Sequence, residues 1–389
     1  MRSRRVNFAT LATFAALLTL LALSPPAGNA APTDGVSAER LAALVKRLSG
    51  PEFSGRATPG DREKTAMALS DELRAAGTTP PPGRDDFLVH VPLHEGRLAL
   101  TNVVAWVAGR EPAEHVLVAA HFDHRGLGDG KGCLGADAAT GAAALVELAR
   151  AVAKGERLRR PVLFVAFDLA EDGQHGSRAY ADAPPAALDA CVAVVALDRL
   201  GRSLADSFPG LLLVHGTERA EGLAAPASAN PPAGITLRRI GLDLHGFSIP
   251  DTIPFEERRI PSLLLTAGWT RDDRTPADTA DKIDVAALAG RTCVALSIVR
   301  AIADAPARPV WIADPAARMG EVEDLLAIAK REGEVEDRLG LSPGARRMRR
   351  AFEARLEAIV ARGAVTAGER VALRIAALEA FQGMVPQAR

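Results

Sequence analysis

Three short apolar runs in this sequence each end in residues that could do chemistry. Val116–Ala120 is followed by His121-Phe122-Asp123-His124, Val162–Phe167 by Asp168-Leu169-Ala170-Glu171-Asp172, and Val192–Leu197 by Asp198. After the first run, Gly135-Ala136-Asp137-Ala138-Ala139-Thr140-Gly141 opens a helical stretch. Imidazole and carboxylate groups together suit a hard or borderline cation such as zinc. A lone Asp at a strand end is ordinarily a helix cap. It is the convergence of His121, Asp137, Glu171 and Asp198 that suggests a cation cage.

Such a cage needs a scaffold that brings strand ends together. Ser37–Leu48 has Leu41, Leu44, Val45 and Leu48 at helical spacing, and a second helix is expected from Asp61 to Ala76. Strands are expected at Ala99–Val107, Val116–Ala120, Val162–Phe167, Val192–Leu197, Leu211–Val214 and Ser262–Thr266, with helices at Gly141–Ala153 and Asp284–Ala303. Buried strands alternating with helices predict a three-layer αβα sandwich around a largely parallel sheet. In such sheets ligands bind beyond the carboxyl ends of the strands, where the polar residues fall here.

The sandwich is expected over residues 37–305, and residues 306–389 form a C-terminal helical appendage behind a linker at Pro306 and Pro309. Its first helix opens with Asp314 as cap and Pro315 in the first turn. The second carries Met348, Phe352, Leu356 and Ile359, and Arg346–Arg350 reads as a solvated face. The third begins with the capping-box pair Thr366 and Glu369, and Val371, Ile375 and Leu378 mark its packed stripe.

The 389 residues carry a formal net charge of −1, with 48% hydrophobic and 24% charged residues. This points to globular structure and away from nucleic acid or an anionic membrane as partner. Arg2, Arg4 and Arg5 precede an apolar run from Phe8 to Leu23, then Pro25-Pro26 and Gly28-Asn29-Ala30. Residues 1–30 therefore read as a signal peptide, which implies export to the periplasm or beyond, with no stable membrane span after cleavage. Cys133, Cys191 and Cys293 are too widely spaced for a zinc pattern and read as small buried residues.

The order of motifs resembles metallopeptidase family 28, the di-zinc exopeptidases that include leucyl aminopeptidases and are related to glutaminyl cyclases. Gly55-Arg56 matches the family's opening Gly-Arg, and His121 and Asp123 match His-x-Asp. Ala136 to Gly141 match the Gly-Ala-Asp-Asp-Asn-Ala-Ser-Gly loop, and Ala170 to Ser177 match Glu-Glu-x-Gly-x-x-Gly-Ser. Leu197 to Gly201 match Leu-Asp-x-x-Gly, and Arg274 to Thr279 match the terminal His-Thr-Pro-x-Asp-Thr.

The resemblance implies one zinc held by His121, Asp198 and the bridging Asp137, with Asp123 orienting the His121 ring. It also implies a second zinc on Asp137, Glu171 and a histidine, but that last place holds Arg274. The general base should be the first Glu of the pair, and that place holds Ala170. No histidine lies within ten residues of Arg274, and His245 is the nearest candidate.

These departures lead to the expectation of a pseudo-peptidase that binds at most one zinc and takes a peptide or other small ligand. The alternative is an active single-zinc aminopeptidase in which Asp172 or a water substitutes for the base. Arg274 is expected to pair with Glu171 through two parallel hydrogen bonds, in place of the second metal.

Overall fold

The computed structural model describes residues 35–93, 98–126, 132–228, 230–241, 250–315 and 318–381. The elements run in the order α1 (Ala38–Leu48), α2 (Pro59–Ala76), β1 (Leu88–Leu93), β2 (Leu98–Val107), β3 (His115–His121), α3 (Ala136–Lys154), β4 (Val162–Phe167), α4 (His175–Asp182), β5 (Cys191–Asp198) and β6 (Leu211–His215). They continue with β7 (Ala220–Glu221), β8 (Thr236–Ile240), α5 (Ile253–Glu256), β9 (Ser262–Thr266), α6 (Val285–Asp304), β10 (Val310–Trp311), α7 (Met319–Glu334), α8 (Glu336–Leu339), α9 (Pro343–Arg362) and α10 (Ala367–Phe381).

Eight strands form one sheet in the order β1-β2-β4-β3-β5-β9-β6-β8, and β7 pairs with β10 separately. The central strands β4, β3, β5 and β9 are mutually parallel. Antiparallel pairs lie further out, at β1/β2, β2/β4 and β6/β9. The parallel strands are buried along their whole length, because helices cover both faces. Parallel alignment carries His121, Asp168 and Asp198 to the same edge of the sheet.

Two glycines set how closely the next layer approaches that edge. The first turn of α3 lies against the end of β5, where a Cβ on Gly141 would sit 2.6 Å from the Leu197 carbonyl oxygen. Gly55 has φ +75°, and a Cβ there would lie 2.2 Å from the carbonyl oxygen of Cys133. That turn sends Arg56 inward, where its fully buried guanidinium donates to the carbonyls of Leu48, Phe122, Leu134 and Gly135. The Gly-Arg motif is thus a clamp tying α1, the end of β3 and the start of α3 together.

The C-terminal helices share a core with the sheet edge. Leu204, Phe208, Leu211, Leu213 and Ile240 pack with Val322, Ile328, Phe352, Leu356 and Ile359. Several local expectations are corrected here. Helix α7 starts at Met319 behind Arg318, not at Asp314, because the chain just before Asp314 is used for β10, where Val310 and Trp311 pair with β7. On α9, Phe352, Leu356 and Ile359 are buried as expected, whereas Met348 is exposed. The capping box of α10 forms, with Thr366 N–H on Glu369 Oε2 at 2.8 Å and Glu369 N–H on Thr366 Oγ1 at 3.3 Å. Yet Leu373 and Ala377 are buried in it, while Val371 and Ile375 are exposed. The side chain of Leu378 lies outside the described residues. Within the basic cluster, Arg349 is buried and donates to the Ala329 carbonyl and to Glu353. All three cysteines are free thiols, two of them buried.

Candidate functional site

The polar residues at the strand ends form one hydrogen-bonded network whose centre is a residue that sequence reasoning missed. Arg199 follows Asp198 at the end of β5 with φ +46°, which turns its side chain across the sheet edge. Its Nη1 donates to Asp198 Oδ2 at 2.7 Å, Nη2 to Glu171 Oε1 at 2.7 Å, and Nε to Asp273 Oδ1 at 3.0 Å. The guanidinium carbon lies 4.3 Å from the centre of the Trp269 ring. Burial opposes the charge on Arg199, but Asp198, Asp273 and Glu171 outweigh it and hold the group protonated.

Arg274 meets Glu171, though not as the expected two-bond pair. Its Nη2 donates to Glu171 Oε2, while the other carboxylate oxygen belongs to Arg199. Arg274 also lies over Trp269, at 4.9 Å, and its side chain keeps 30% of its exposure. Burial would raise the pKa of Glu171, but Arg199, His121 and Arg274 bring it down to about 2.

His121 sits between two carboxylates. Nε2 lies 3.2 Å from Asp198 Oδ1, and Nδ1 lies 3.4 Å from Asp123 Oδ1. Burial works against the charged ring, but the hydrogen bonds to Asp123 and Asp198 raise its pKa well above the ordinary value. His121 Nδ1 also lies 3.1 Å from the Asp123 main-chain carbonyl, and the Asp123 carboxylate is fixed by the N–H groups of Ala170 and Glu171 at 3.0 and 3.1 Å. Ala170 lines the cleft with a methyl group where a general base would stand. Asp172 is exposed and is not among the lining residues.

Asp137 lies deeper. Its Oδ1 accepts from Gly201 N–H at 3.1 Å, and its own N–H donates to Asp278. Its Oδ2 is buried with no hydrogen-bond partner among the described residues. Burial first, then the nearby Asp278, raises its pKa to about 8.

A metal held by His121, Asp137 and Asp198 requires a neutral imidazole and free carboxylate oxygens gathered around one point. Instead Asp198 is shared between His121 Nε2 and the Arg199 guanidinium, and Glu171 is bonded to two guanidinium groups. The orphaned oxygen of Asp137 is the one feature here that suits a metal. The family's metal pair therefore does not fit this set of side chains.

The ligand atoms that do gather within 4.8 Å of one another, among the described residues, belong to His124, Cys133 and Asp278, all buried. By type and spacing these could hold a metal ion. However, Gly126 N–H donates to His124 Nδ1 at 3.2 Å, which leaves the ring proton on Nε2, facing Cys133 Sγ at 4.0 Å. Burial and the adjacent Arg56 press the His124 pKa down to about 3, and burial lifts that of Cys133 to about 11. Asp278, the third member, accepts the Asp137 N–H at 3.1 Å and so ties this cluster to the network above it. His245 lies outside the described residues.

The other residues missed from sequence are Trp269, Asp273 and Arg125. The signal for Arg199 was visible as a charged residue directly after Asp198 in an otherwise apolar stretch, Val192–Leu200.

A parallel-centred αβα sandwich with His, Asp and Glu beyond its strand ends defines the zinc-exopeptidase type of fold. The family model of Peptidase family M28 matches residues 102–299, so the chain belongs to that family. No curated protein matches the sequence significantly. Solved structures of similar fold include an aminopeptidase from Aneurinibacillus sp. strain AM-1, at 16% identity over 73% of this chain and 98% of that one, with a TM-score of 0.55. The zinc aminopeptidase BSAP from Bacillus subtilis is similar at 15% identity, covering 72% and 99%, with a TM-score of 0.54. A glutaminyl cyclase from Porphyromonas gingivalis is similar at 19% identity, covering 68% and 98%, with a TM-score of 0.53.

Proposed function

We propose that this chain is an exported pseudo-peptidase, a family member whose cleft binds a small ligand or peptide without hydrolysing it. The observation that carries this reading is the position of Arg199, whose one guanidinium bonds Asp198, Glu171 and Asp273. A permanent internal cation among these carboxylates takes the electrostatic role of a dication, and it can neither polarise a carbonyl as a Lewis acid nor deliver a hydroxide. Ala170 removes the base as well, a loss on the order of 10²–10⁴-fold by itself. The basic and then apolar N-terminal residues support export.

A second reading, a peptidase with one zinc and a substitute base, draws support from the unpartnered Oδ2 of Asp137. The exposed position of Asp172 and the Arg199 guanidinium seated on Asp198 weigh against it. Protein purified without chelator separates the two. Elemental analysis should give at most one zinc per chain, with no turnover of aminoacyl chromogenic substrates above a no-enzyme control. Two zinc ions, or turnover at an ordinary aminopeptidase rate, would overturn the proposal.

A further inference from the structure

The cleft over the network has a volume of about 240 Å³, and its walls include Arg125, Arg274, Glu171 and Trp269. Its inner carboxylates are already engaged. Asp123 accepts two main-chain N–H groups, each oxygen of Glu171 accepts an arginine, and Asp198 faces Arg199 and His121. The guanidinium groups toward solvent are not saturated in the same way. Exposed Arg125 donates Nε to the Glu171 carbonyl at 2.7 Å, and Arg274 donates Nη2 to the Glu171 side chain.

Glu171 therefore pins one edge of each arginine, one through its main chain and one through its carboxylate. A guanidinium has five N–H donors, so most of those on Arg125 and Arg274 remain for a ligand. Arg274 Nε is turned inward, 3.8 Å from Asp273 Oδ2, so the edge this guanidinium offers to a ligand is that of its Nη groups. Trp269 lies against Arg274 at 4.9 Å and limits its motion.

We propose that this cleft recognises a carboxylate, held between Arg125 and Arg274 with its carbon stem against Trp269. The inference rests on the reading of the cleft as a binding site without a catalytic metal. Two guanidinium edges with fixed orientation match the planar, two-oxygen shape of a carboxylate. A phosphate dianion would bring a second negative charge close to the buried carboxylates Glu171 and Asp273, which already share the Arg199 and Arg274 cations. A single negative charge suits the site better.

Calorimetric titration with acetate, N-acetylglycine and N-acetyl-leucine tests this, with N-acetyl-leucinamide and inorganic phosphate as controls. At least one of the acids should bind, the amide should not, and phosphate should bind more weakly. Arg125→Gln, at an exposed position, should keep the wild-type Tm while weakening the acid about tenfold or more. Binding of the amide as tightly as the acid would overturn the inference. So would preference for phosphate, indifference to Arg125→Gln, or binding of none of the acids. Zinc content and turnover measured on the same preparation keep the two proposals apart. Metal-free, inactive protein that ignores the acids sinks only the carboxylate, whereas two zinc ions with turnover sink the reading beneath it.

Discussion

Arg199, at the end of β5, reaches across the end of β3 to Glu171, which follows β4, and its Nη2 meets Glu171 Oε1 at 2.7 Å. This bond links the two outer strand ends of the site and leaves the opposite oxygen of Glu171 to Arg274. The pair is buried, with side-chain exposures of 3% and 5%. Removing the guanidinium would strand carboxylates away from solvent.

Replacing Arg199 by Ala should destabilise the fold by about 3–5 kcal/mol, the usual cost of stranding buried charge. Arg199→Lys should recover only part of this, because a point charge cannot serve three carboxylates in a fork. Arg274→Ala should cost about 1 kcal/mol or less, since Arg274 keeps 30% of its exposure and Glu171 retains Arg199. Urea melts of the three variants check the order. Equal midpoints for Arg199→Ala and wild type would contradict it.

Restoring the family residues at two positions should not restore a metal site. In the double variant Ala170→Glu, Arg274→His, the Arg199 guanidinium still holds Asp198 and Glu171. Adding Arg199→Met frees both carboxylates, and this triple variant should gain zinc by elemental analysis. Zinc uptake by the double variant alone would show that Arg199 yields its place to a metal.

Glu332 on α7 should make stability fall with rising pH. It is fully buried with neither oxygen hydrogen-bonded among the described residues, and burial lifts its pKa from 4.5 to about 8. Arg349 lowers the value while Glu336 and Glu353 raise it. Between these two values the folded state keeps a proton that the unfolded chain has released. The contribution is therefore complete below pH 4.5 and is lost as pH rises through about 8. Glu332→Gln should flatten the decline of Tm across that window. An unchanged slope would assign the decline to other groups.

Gly141→Ala should destabilise by about 1–3 kcal/mol through overpacking. The added methyl would meet the Leu197 carbonyl at 2.6 Å and push the start of α3 off β5. Gly60, where a Cβ meets nothing within 4 Å, is the matched control, and Gly60→Ala should leave the melt within about 0.5 kcal/mol of wild type.

The central strands, the long helices behind them and the positions of His121, Glu171 and Asp198 at strand ends were legible in the sequence. These depend on local features: apolar runs, helical spacing, caps and the polar residue that ends a run. Ala170 and Arg274 could also be read as departures, because a side chain's chemistry is written in its identity. What the site became was decided only by tertiary structure. Arg199 gathers carboxylates from positions 28 and 74 residues distant along the chain, and no local pattern encodes where a long, flexible side chain will point. The same holds for α10, whose sequence offers two apolar stripes. Val371 and Ile375 made the more regular one, but packing in the core shared with α9 buried Leu373 and Ala377 instead. A helix's periodicity shows that it has a face to bury, and the surface it meets determines which face that is.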